Sequence, residues 1–290
     1  MTRSLQGRTL FITGASRGIG LAIACRAARD GANIVIAAKT DTPHRTLPGT
    51  IYSAAEEVIA HGGRALPLVC DVRDEKQVAA AMARAAEEFG GIDILVNNAS
   101  AVRLTGVEAT PIHRFDLMHA VNTRGSMIAL QKALPYLLRS TNPHVLSLSP
   151  PLTIEERWFA PHVAYSISKY GMSLLVLGAA AELRGRVAVN ALWPRTAIDT
   201  AAMNEIGRRM ELGPLRSPRI MADAAWYILT QDRNAATGRF FVDDEVLREN
   251  GVNDLSVYAP SGVADLDLTP DLFVPSLREL AATAEESAKS

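Results

Sequence analysis

Short apolar runs alternate with longer helical patterns along most of the chain, and this alternation limits the possible folds more than any other feature. Seven runs have the length and composition of buried strands: Thr9–Ile12, Asn33–Ile36, Ala65–Val69, Ile94–Val96, Val145–Leu148, Val187–Ala191 and Arg239–Val242. Helix patterns lie between them, near 18–30, 51–61, 74–89, 111–139, 162–184 and 219–230. Such an order predicts an α/β protein with a doubly wound parallel sheet of seven strands and helices on both faces.

No interior linker divides the 290 residues. We expect one domain over residues 1–245, followed by a C-terminal extension, 246–290, that packs on the domain or on a partner subunit. The last ~10 residues, rich in Ala, Glu and Ser, are expected to be mobile. A second departure from compactness is the long loop at 40–50.

Composition excludes several classes of function. A net charge of −1 gives no electrostatic basis for binding nucleic acid or an anionic membrane. No uninterrupted apolar run approaches the ~18 residues of a membrane span, and the N-terminus has no signal-peptide pattern, so a cytoplasmic protein is expected. Cys25 and Cys70 lie in apolar surroundings, and the six histidines show no ligand spacing, so no metal site is predicted.

A glycine-rich turn, "TGASRGIG" at 13–20, joins the first strand to the first helix. Gly14, Gly18 and Gly20 allow the backbone to turn sharply and approach a pyrophosphate, while the helix directs its free N–H groups at the anion. A turn without a ligand is the alternative, because a lone glycine triplet is weak evidence. Its position directly after strand one favours dinucleotide binding and a Rossmann-type sheet.

The spacing of this turn resembles the Thr-Gly-x-x-x-Gly-x-Gly turn of the short-chain dehydrogenase/reductase family. Four more matches occur in the family's order: "CDV" at 70–72, "NNAS" at 97–100, "VNTRG" at 121–125 and "YSISK" at 165–169. The resemblance covers roughly residues 5–245. It implies a nicotinamide cofactor bound by Gly14, Ser16, Arg17, Gly18, Ile19, Gly20, Lys39, Asp71, Val72, Asn98, Ala99, Lys169, Pro194 and Thr196.

The residues near the end of strand two favour NADP(H) over NAD(H). In the family, NAD specificity comes from a carboxylate at this position, but here Ala38 is followed by Lys39, and Arg17 adds a second positive charge. No acid occurs between Ile34 and Thr40. Cations suit a 2′-phosphate, although both side chains could be ordinary solvated charges. The loop residues His44 and Arg45 are further candidates.

Tyr165 and Lys169 are four residues apart and share one helix face. The resemblance implies that Tyr165 exchanges a proton with the substrate oxygen, that Lys169 lowers the pKa of the phenol, and that Asn122 holds a water linking Lys169 to solvent. A packed tyrosine and a surface lysine are the alternative.

The family's fourth catalytic residue is a serine at the end of strand five, where this chain has Pro150. Proline offers neither a hydroxyl nor an N–H. Ser149, one position earlier, is the candidate replacement, and Thr153 is the alternative. Loss of one preorganised donor costs about 10²–10³ in rate, so the chemistry would be slowed but not excluded.

The segment "NALWPRTAIDT" resembles the family's contact with the nicotinamide carboxamide, although Arg195 replaces the usual glycine and Thr200 lies one residue late. After it, "AAMNEIGRRMELG" is expected to form a lid helix over the substrate. Its apolar residues indicate a fairly apolar alcohol or carbonyl as the partner molecule; they are Met203, Ile206, Met210 and Leu212.

The expected function is therefore NADP(H)-dependent alcohol/carbonyl oxidoreduction. The alternative is an NADP-binding protein with weakened chemistry and a sensing or scaffolding role. The helix "SKYGMSLLVLGAAAEL" is apolar around more of its surface than one sheet face requires. A homodimer or homotetramer packed through this helix and the pattern at 111–139 is expected.

Overall fold

Seven parallel strands form one sheet, as the alternation predicts. The structure is a computed structural model, and it describes residues 3–43, 48–207 and 211–289, with side chains as far as residue 286. The strands are β1 (Thr9–Thr13), β2 (Asn33–Ala38), β3 (Arg64–Val69), β4 (Ile94–Asn97), β5 (His144–Ser147), β6 (Ala188–Trp193) and β7 (Phe240–Val242). Their order in the sheet is β3-β2-β1-β4-β5-β6-β7. The order reverses between β1 and β4, which is where open α/β sheets bind ligands.

Helices cover both faces of the sheet. They are α1 (Gly18–Ala28), α2 (Ile51–Ala60), α3 (Glu75–Phe89), α4 (Ile112–Met118), α5 (Gly125–Leu137), α6 (Val163–Glu182), α7 (Ala201–Gly207), α8 (Arg219–Leu229), α9 (Asp243–Glu249) and α10 (Leu277–Lys289). Alternate strand residues supply two cores, because successive side chains point to opposite faces. Leu10 and Ile12 pack with α1, α2 and α8, whereas Phe11 packs with α3, α5 and α6.

Local sequence determines where several elements begin and end. The Asp74 carboxylate accepts hydrogen bonds from the N–H groups of Lys76 and Gln77 and so caps α3. Gly90 ends that helix in the left-handed conformation, with φ of 83°. Pro67 is tolerated inside β3 because β3 lies at the edge of the sheet.

The single helix predicted over 111–139 is interrupted. Between α4 and α5 the residues His119–Arg124 form a π-helical turn. Wider turns of this kind are frequent at functional sites, and this one contains Asn122. Gly125 allows α5 to begin close to Val72, since a Cβ on Gly125 would lie 2.9 Å from Val72 Cγ2.

Helix α6 is the one described helix with the length and composition of a membrane span. By length and composition it could cross a bilayer, although no uninterrupted apolar run is that long. Within this fold, 61 % of its apolar window is buried, and it carries Tyr165 and Lys169.

The C-terminal extension forms short elements, and residues 269–271 bond to residues 195–197 just after β6. The boundary expected at 245 falls inside α9, which is followed by 3₁₀ turns at Ser256–Tyr258 and Asp265–Asp267 and by α10. Thr196 pairs with Pro270 in an antiparallel bridge. Leu268, Phe273 and Val274 are buried.

Candidate active site

The turn between β1 and α1 has the close packing that a phosphate-binding backbone requires. Gly14 and Gly18 have φ of +68° and +59°, which favours glycine at both positions. A Cβ on Gly14 would lie 2.9 Å from Ala99 Cα, and one on Gly20 would lie 2.5 Å from Asn98 Nδ2. Arg17 precedes α1 with no side-chain cap, so the first N–H groups of the helix remain available to an anion.

The end of β4 holds this turn in place. Asn98 Nδ2 donates to the carbonyl oxygens of Thr13 and Gly14, at 2.8 and 3.1 Å. The backbone N–H groups of Asn98 and Ala99 both donate to Thr13 Oγ1 at 3.0 Å. The "TG" and "NNAS" motifs therefore form one unit at the position where the strand order reverses.

A cleft of about 420 Å³ runs beside this unit. Its lining includes ten of the residues predicted to bind the cofactor: Gly14, Ser16, Arg17, Gly18, Ile19, Lys39, Asp71, Val72, Asn98 and Ala99. Gly20 packs beneath the cleft on Asn98, and Lys169, Pro194 and Thr196 lie outside its lining. The close glycine contacts, the uncapped helix and the cleft together fit an extended dinucleotide.

The cations predicted to select the nicotinamide lie at one end of the cleft. Lys39 is exposed there, next to the buried Ala38. Arg17 donates from Nε and Nη2 to the carbonyl oxygens of Pro48 and Gly49, both at 2.7 Å, and so ties the 40–50 loop to the turn. His44 and Arg45 of that loop lie outside the described residues.

Asp71 also lines the cleft, just after β3 on the neighbouring strand to Lys39, and it is paired. Its carboxylate accepts from Arg73 Nη2 at 2.5 Å and from Arg73 Nε at 2.9 and 3.0 Å. These bonds hold the pKa of Asp71 below its ordinary value, so this carboxylate stays charged.

Lys169 is buried on α6, where its ammonium group has few partners. Its Nζ donates to the carbonyl oxygen of Leu148 at 2.5 Å and lies 4.9 Å from the centre of the Trp193 ring. Lys169 is only 2 % exposed. Burial lowers its pKa to about 7, although the charge of Asp271 acts in the opposite direction.

Tyr165 lies one helical turn before Lys169, as the spacing predicts, and is 8 % exposed. Its pKa differs from the expectation that Lys169 would lower it. Burial raises the pKa of this phenol above its ordinary value, and the charge of Asp271 raises it further.

Asn122 is buried in the π-helical turn and binds two neighbouring segments. Its Oδ1 accepts from the Ala101 N–H at 2.7 Å, while Nδ2 donates to Ala101 O and to Ser168 Oγ, both at 2.9 Å. The Asn122 carbonyl oxygen accepts from Ser126 Oγ at 2.6 Å. The side chain thus fixes the loop after β4 to α6, and its expected part in a water relay stays a prediction.

The strand-five end contains the hydroxyl that sequence reasoning could not assign. Ser149 is fully buried, and its Oγ has no hydrogen-bond partner among the described residues. Thr153 Oγ1, by contrast, is engaged with Glu155 in an exposed turn. The Pro150 carbonyl oxygen accepts from Ser173 Oγ at 2.7 Å, which holds this loop on α6. Of the two candidates, Ser149 has the free buried hydroxyl.

Arg195 has a structural role that the sequence did not predict. Its Nε donates to both carboxylate oxygens of Asp244 at 2.8 Å, Nη2 pairs with Glu245, and Nη1 donates to the Pro275 carbonyl oxygen at 3.0 Å. The ion cluster therefore joins the end of β6, the start of α9 and the C-terminal extension. Next to it, Thr196 Oγ1 is buried without a partner among the described residues, as a polar contact for a carboxamide would require.

Sequence reasoning also missed Asp271 in the extension. Its backbone N–H donates to the Arg195 carbonyl oxygen at 3.0 Å, and burial raises the pKa of its carboxyl group to about 7. The carboxylate acts electrostatically on both Tyr165 and Lys169. The signal available in the sequence was an acid beside Pro270 in an otherwise apolar segment, "LTPDLFVP".

A second cavity, of about 550 Å³, adjoins the cleft and shares Ala101, Leu117 and Ala202 with it. Helix α7, the expected lid, contributes Ala202, Glu205 and Ile206 to the lining. Residues 208–210, including Met210, lie outside the described residues. Its walls are mostly apolar, with Arg103 and Arg114 among the charged lining residues.

One group of potential metal ligands is brought together despite their separation in sequence. Ligand atoms of Cys25, Glu57 and His61 lie within 4.8 Å of one another. Burial raises the pKa of Cys25 to about 12, so the thiol keeps its proton and is a weak ligand. The expectation of no metal stays a prediction.

Comparisons with known proteins agree with the geometry. Residues 8–211 match the model of the short chain dehydrogenase family. The chain is 55 % identical over 273 residues to hydroxysteroid dehydrogenase-like protein 2 of Danio rerio, covering 94 % of this chain and 65 % of that relative.

Two solved structures extend the comparison. A short chain dehydrogenase of Mycobacterium thermoresistibile is 48 % identical, with a TM-score of 0.88 over 94 % of this chain and 97 % of that one. A metagenomic short-chain oxidoreductase in complex with NADP is 26 % identical, with a TM-score of 0.67 over 82 % of this chain and 97 % of that one.

Proposed function

The chain belongs to the short-chain dehydrogenase family, and from this premise we propose that it interconverts an alcohol and a carbonyl compound by hydride transfer with NADP(H). The observation that carries the proposal is the pair formed by Tyr165 and Lys169. Both side chains are buried one helical turn apart on α6, and the Lys169 ammonium donates to the carbonyl oxygen of Leu148, directly after β5. A buried lysine beside a buried tyrosine is costly for stability, which favours a role in chemistry.

The residues divide the work of proton transfer. When bound, the nicotinamide supplies or accepts the hydride. The Tyr165 hydroxyl holds the proton that the substrate oxygen gains on reduction or loses on oxidation. A protonated Lys169 stabilises the phenolate left on Tyr165, and Asn122 keeps α6 and the loop after β4 in register. Ser149 is the proposed donor to the substrate oxygen.

The choice of NADP(H) rests on charge at the end of β2. Lys39 and Arg17 line the cleft, and Asp71, the one carboxylate among its described lining residues, is already paired with Arg73. A free ribose 2′-hydroxyl would need an acceptor near Ala38, whereas a 2′-phosphate would gain from two cations. The bound NADP of the metagenomic relative is consistent with this choice.

The direct test is NADPH oxidation against a panel of aldehydes and ketones, with Tyr165→Phe compared with Tyr170→Phe. Both substitutions remove one phenol oxygen from α6, but Tyr170 has no proposed part in proton transfer. We expect Tyr165→Phe to lose at least ~10²-fold in kcat and Tyr170→Phe to stay close to the native protein. Equal activity of the two variants would contradict the proposed role of Tyr165.

A second candidate is a cofactor-binding protein with weakened chemistry and a sensing or scaffolding role. Two observations favour it: Pro150 replaces the usual serine, and burial raises the pKa of Tyr165. Tight NADPH binding by calorimetry, without turnover of any carbonyl or alcohol by the native protein, would support this candidate over the oxidoreductase.

A further inference from the structure

A segment of the C-terminal extension, residues 268–275, runs directly along the end of β6, and we call it the C-terminal strap. It lies antiparallel to residues 195–197: the Ala197 N–H donates to Thr269 O at 2.8 Å and the Asp271 N–H donates to Arg195 O at 3.0 Å. Trp193 Nε1 donates to Leu272 O at 2.7 Å. With the bond from Arg195 to Pro275, these contacts hold the strap at both ends.

The strap carries Phe273 into an aromatic cluster at Tyr165. The ring of Phe273 lies 6.2 Å from the ring of Tyr165, at an interplanar angle of 30°. It also lies 5.7 Å from the ring of Trp193, over which the Lys169 ammonium sits. Phe273 is therefore in contact distance of Tyr165, the proposed acid, and of Trp193, whose ring lies under the Lys169 ammonium.

The backbone of Phe273 adopts an unfavourable conformation to reach this place. Its φ is +71°, the one positive value at a non-glycine residue in the part of the chain that the structure describes. A left-handed conformation is unfavourable for a bulky L-residue, so the surrounding contacts must compensate for it. Strain of this kind occurs most often at functional sites.

The same strap brings a carboxylate to the pair. Asp271, two residues before Phe273, acts electrostatically on Lys169 and on Tyr165. Its Oδ1 accepts from the Leu272 N–H at 2.6 Å, which fixes its direction. The extension therefore contributes both an apolar wall and a charge to the reacting centre.

We propose that the C-terminal strap completes the substrate site and that Phe273 is its specificity-determining residue, whose ring limits how bulky a group can lie beside the Tyr165 phenol. This rests on the proposed oxidoreductase function. Because the wall is aromatic and uncharged, it suits a carbonyl compound with an apolar substituent of limited width next to the carbonyl carbon.

The first experiment compares native protein with Phe273→Ala and Phe273→Trp on ketones of increasing width, with NADPH in excess. The matched control is Phe159→Ala, which removes a ring from the same cluster that packs on Tyr170 rather than on Tyr165. We expect Phe273→Ala to raise kcat/KM for the widest ketone relative to the narrowest by at least ~10-fold, and Phe273→Trp to do the opposite. The control should keep the native ranking. An unchanged ranking in Phe273→Ala would overturn the proposal.

A second readout needs no turnover and so separates this inference from the proposed function. N-acetylimidazole acetylates accessible tyrosine hydroxyls, and peptide mass mapping gives the rate at Tyr165 relative to the exposed Tyr52 in the same sample. Phe273→Ala should raise this ratio several-fold, while Phe159→Ala should not. Should the native protein reduce no carbonyl, the oxidoreductase proposal fails, and an unchanged acetylation ratio would then refute the strap as well.

If Phe273→Ala does not fold, Phe273→Leu replaces it in both experiments. Leucine keeps much of the buried apolar volume but removes the ring plane. The shifts expected for Phe273→Leu have the same direction and a smaller size, and their absence would count equally against the proposal.

Discussion

At the scale of single residues, the buried hydroxyl of Ser149 is expected to affect the stability and the activity of the protein differently. An unpaired buried hydroxyl destabilises the fold, so Ser149→Ala should leave the free energy of unfolding unchanged or raise it by about 1 kcal/mol. If Ser149 binds the substrate oxygen, the same variant should lose about 10²–10³ in kcat/KM without weaker NADPH binding.

Urea denaturation and steady-state kinetics measure these two effects. Thr153→Ala is the control, because the Thr153 hydroxyl is bonded to Glu155 at the surface. A loss of activity in Thr153→Ala, with Ser149→Ala unaffected, would transfer the role to Thr153. If neither variant loses activity, the site works without a side-chain donor at this position.

Lys169 predicts a specific dependence of stability on pH. Its pKa is about 7 in the folded protein and ~10.4 in an unfolded chain, so between these values the unfolded state binds more protons. Stability from this group therefore increases from about pH 7 to pH 10 and is lost as the pH falls back toward 7. Asp271 acts on the same group, and burial raises its pKa to about 7. The stability that Asp271 gives is therefore present at low pH and is lost as the pH rises to about 7.

The test is the free energy of unfolding of Lys169→Met measured from pH 7 to pH 10. The variant should lack the rise that Lys169 gives the native protein, so the difference between the two profiles should slope with pH. Parallel profiles over this window would show that Lys169 has an ordinary pKa in the folded protein.

Cofactor preference is also decided by single charges. Lys39→Asp places a carboxylate where the 2′-phosphate is proposed to bind, so it should weaken NADPH binding by at least ~10-fold while NADH binding changes less. Calorimetric titration of both cofactors into native and variant protein measures the ratio. Tighter binding of NADH than of NADPH by the native protein would show that the preference is for NAD(H).

At the scale of elements, the turn between β1 and α1 requires glycine at two positions for two different reasons. Gly14 needs its positive φ, whereas Gly20 needs only the absence of a Cβ, because Asn98 Nδ2 lies 2.5 Å from that position. Gly20→Ala must therefore displace the Asn98 side chain that holds Thr13 and Gly14. Cofactor affinity should fall by at least ~10-fold, with about 1–3 kcal/mol lost from stability.

Gly91→Ala is the matched control for Gly20→Ala, because no atom lies within 4 Å of a Cβ added there. Binding of NADPH followed by fluorescence, together with urea denaturation, compares the two variants. Equal affinities would show that NADPH binding does not need the contact of Asn98 with the glycine-rich turn.

The elements also show what periodicity can and cannot predict. The seven strands were predicted to within about one or two residues, because buried parallel strands are continuous apolar runs bounded by turn residues. The π-helical turn at 119–124 was not, because one extra residue per turn barely changes the apolar pattern of a helix. Asn122 in this turn bonds to Ala101 and Ser168, which lie 21 and 46 positions away in the sequence.

At the scale of the whole molecule, exposed apolar residues predict self-association. Ile167, Leu174 and Leu177 are 44–58 % exposed on α6, and Met127 and Leu138 are 49 % and 45 % exposed on and beside α5. Two helices with unburied apolar faces suit a symmetric interface between copies. We expect a dimer or tetramer by light scattering at micromolar concentration.

Leu174→Glu should dissociate this assembly, because two carboxylates would be buried across a symmetric interface. Ile59→Glu, a similarly exposed position on α2 at the other face of the sheet, should leave the mass unchanged. A monomeric mass for the native protein, or an unchanged mass for Leu174→Glu, would contradict the predicted interface.

The candidate site was predictable to different degrees at its two ends. Local spacing predicts one part of the site: the glycine-rich turn, "NNAS", Tyr165 and Lys169. Asp271 and Phe273 lie in an irregular segment, and their proximity to Tyr165 arises from backbone bonds to residues 195–197 that no spacing rule encodes. Arg195 was noticed as a departure from glycine, but its pairing with Asp244, Glu245 and Pro275 required the folded chain.

The contacts of Arg195 with the C-terminal extension have a consequence for how this protein folds during its synthesis. A ribosome releases the glycine turn and most of the sheet well before it releases Asp271, Phe273 and Pro275, and chains fold from their N-termini during synthesis. A growing chain can therefore assemble the cleft beside the glycine turn while Phe273 is still missing beside Tyr165. Under the proposed function, the nascent protein would be able to hold a nucleotide before its substrate site is complete.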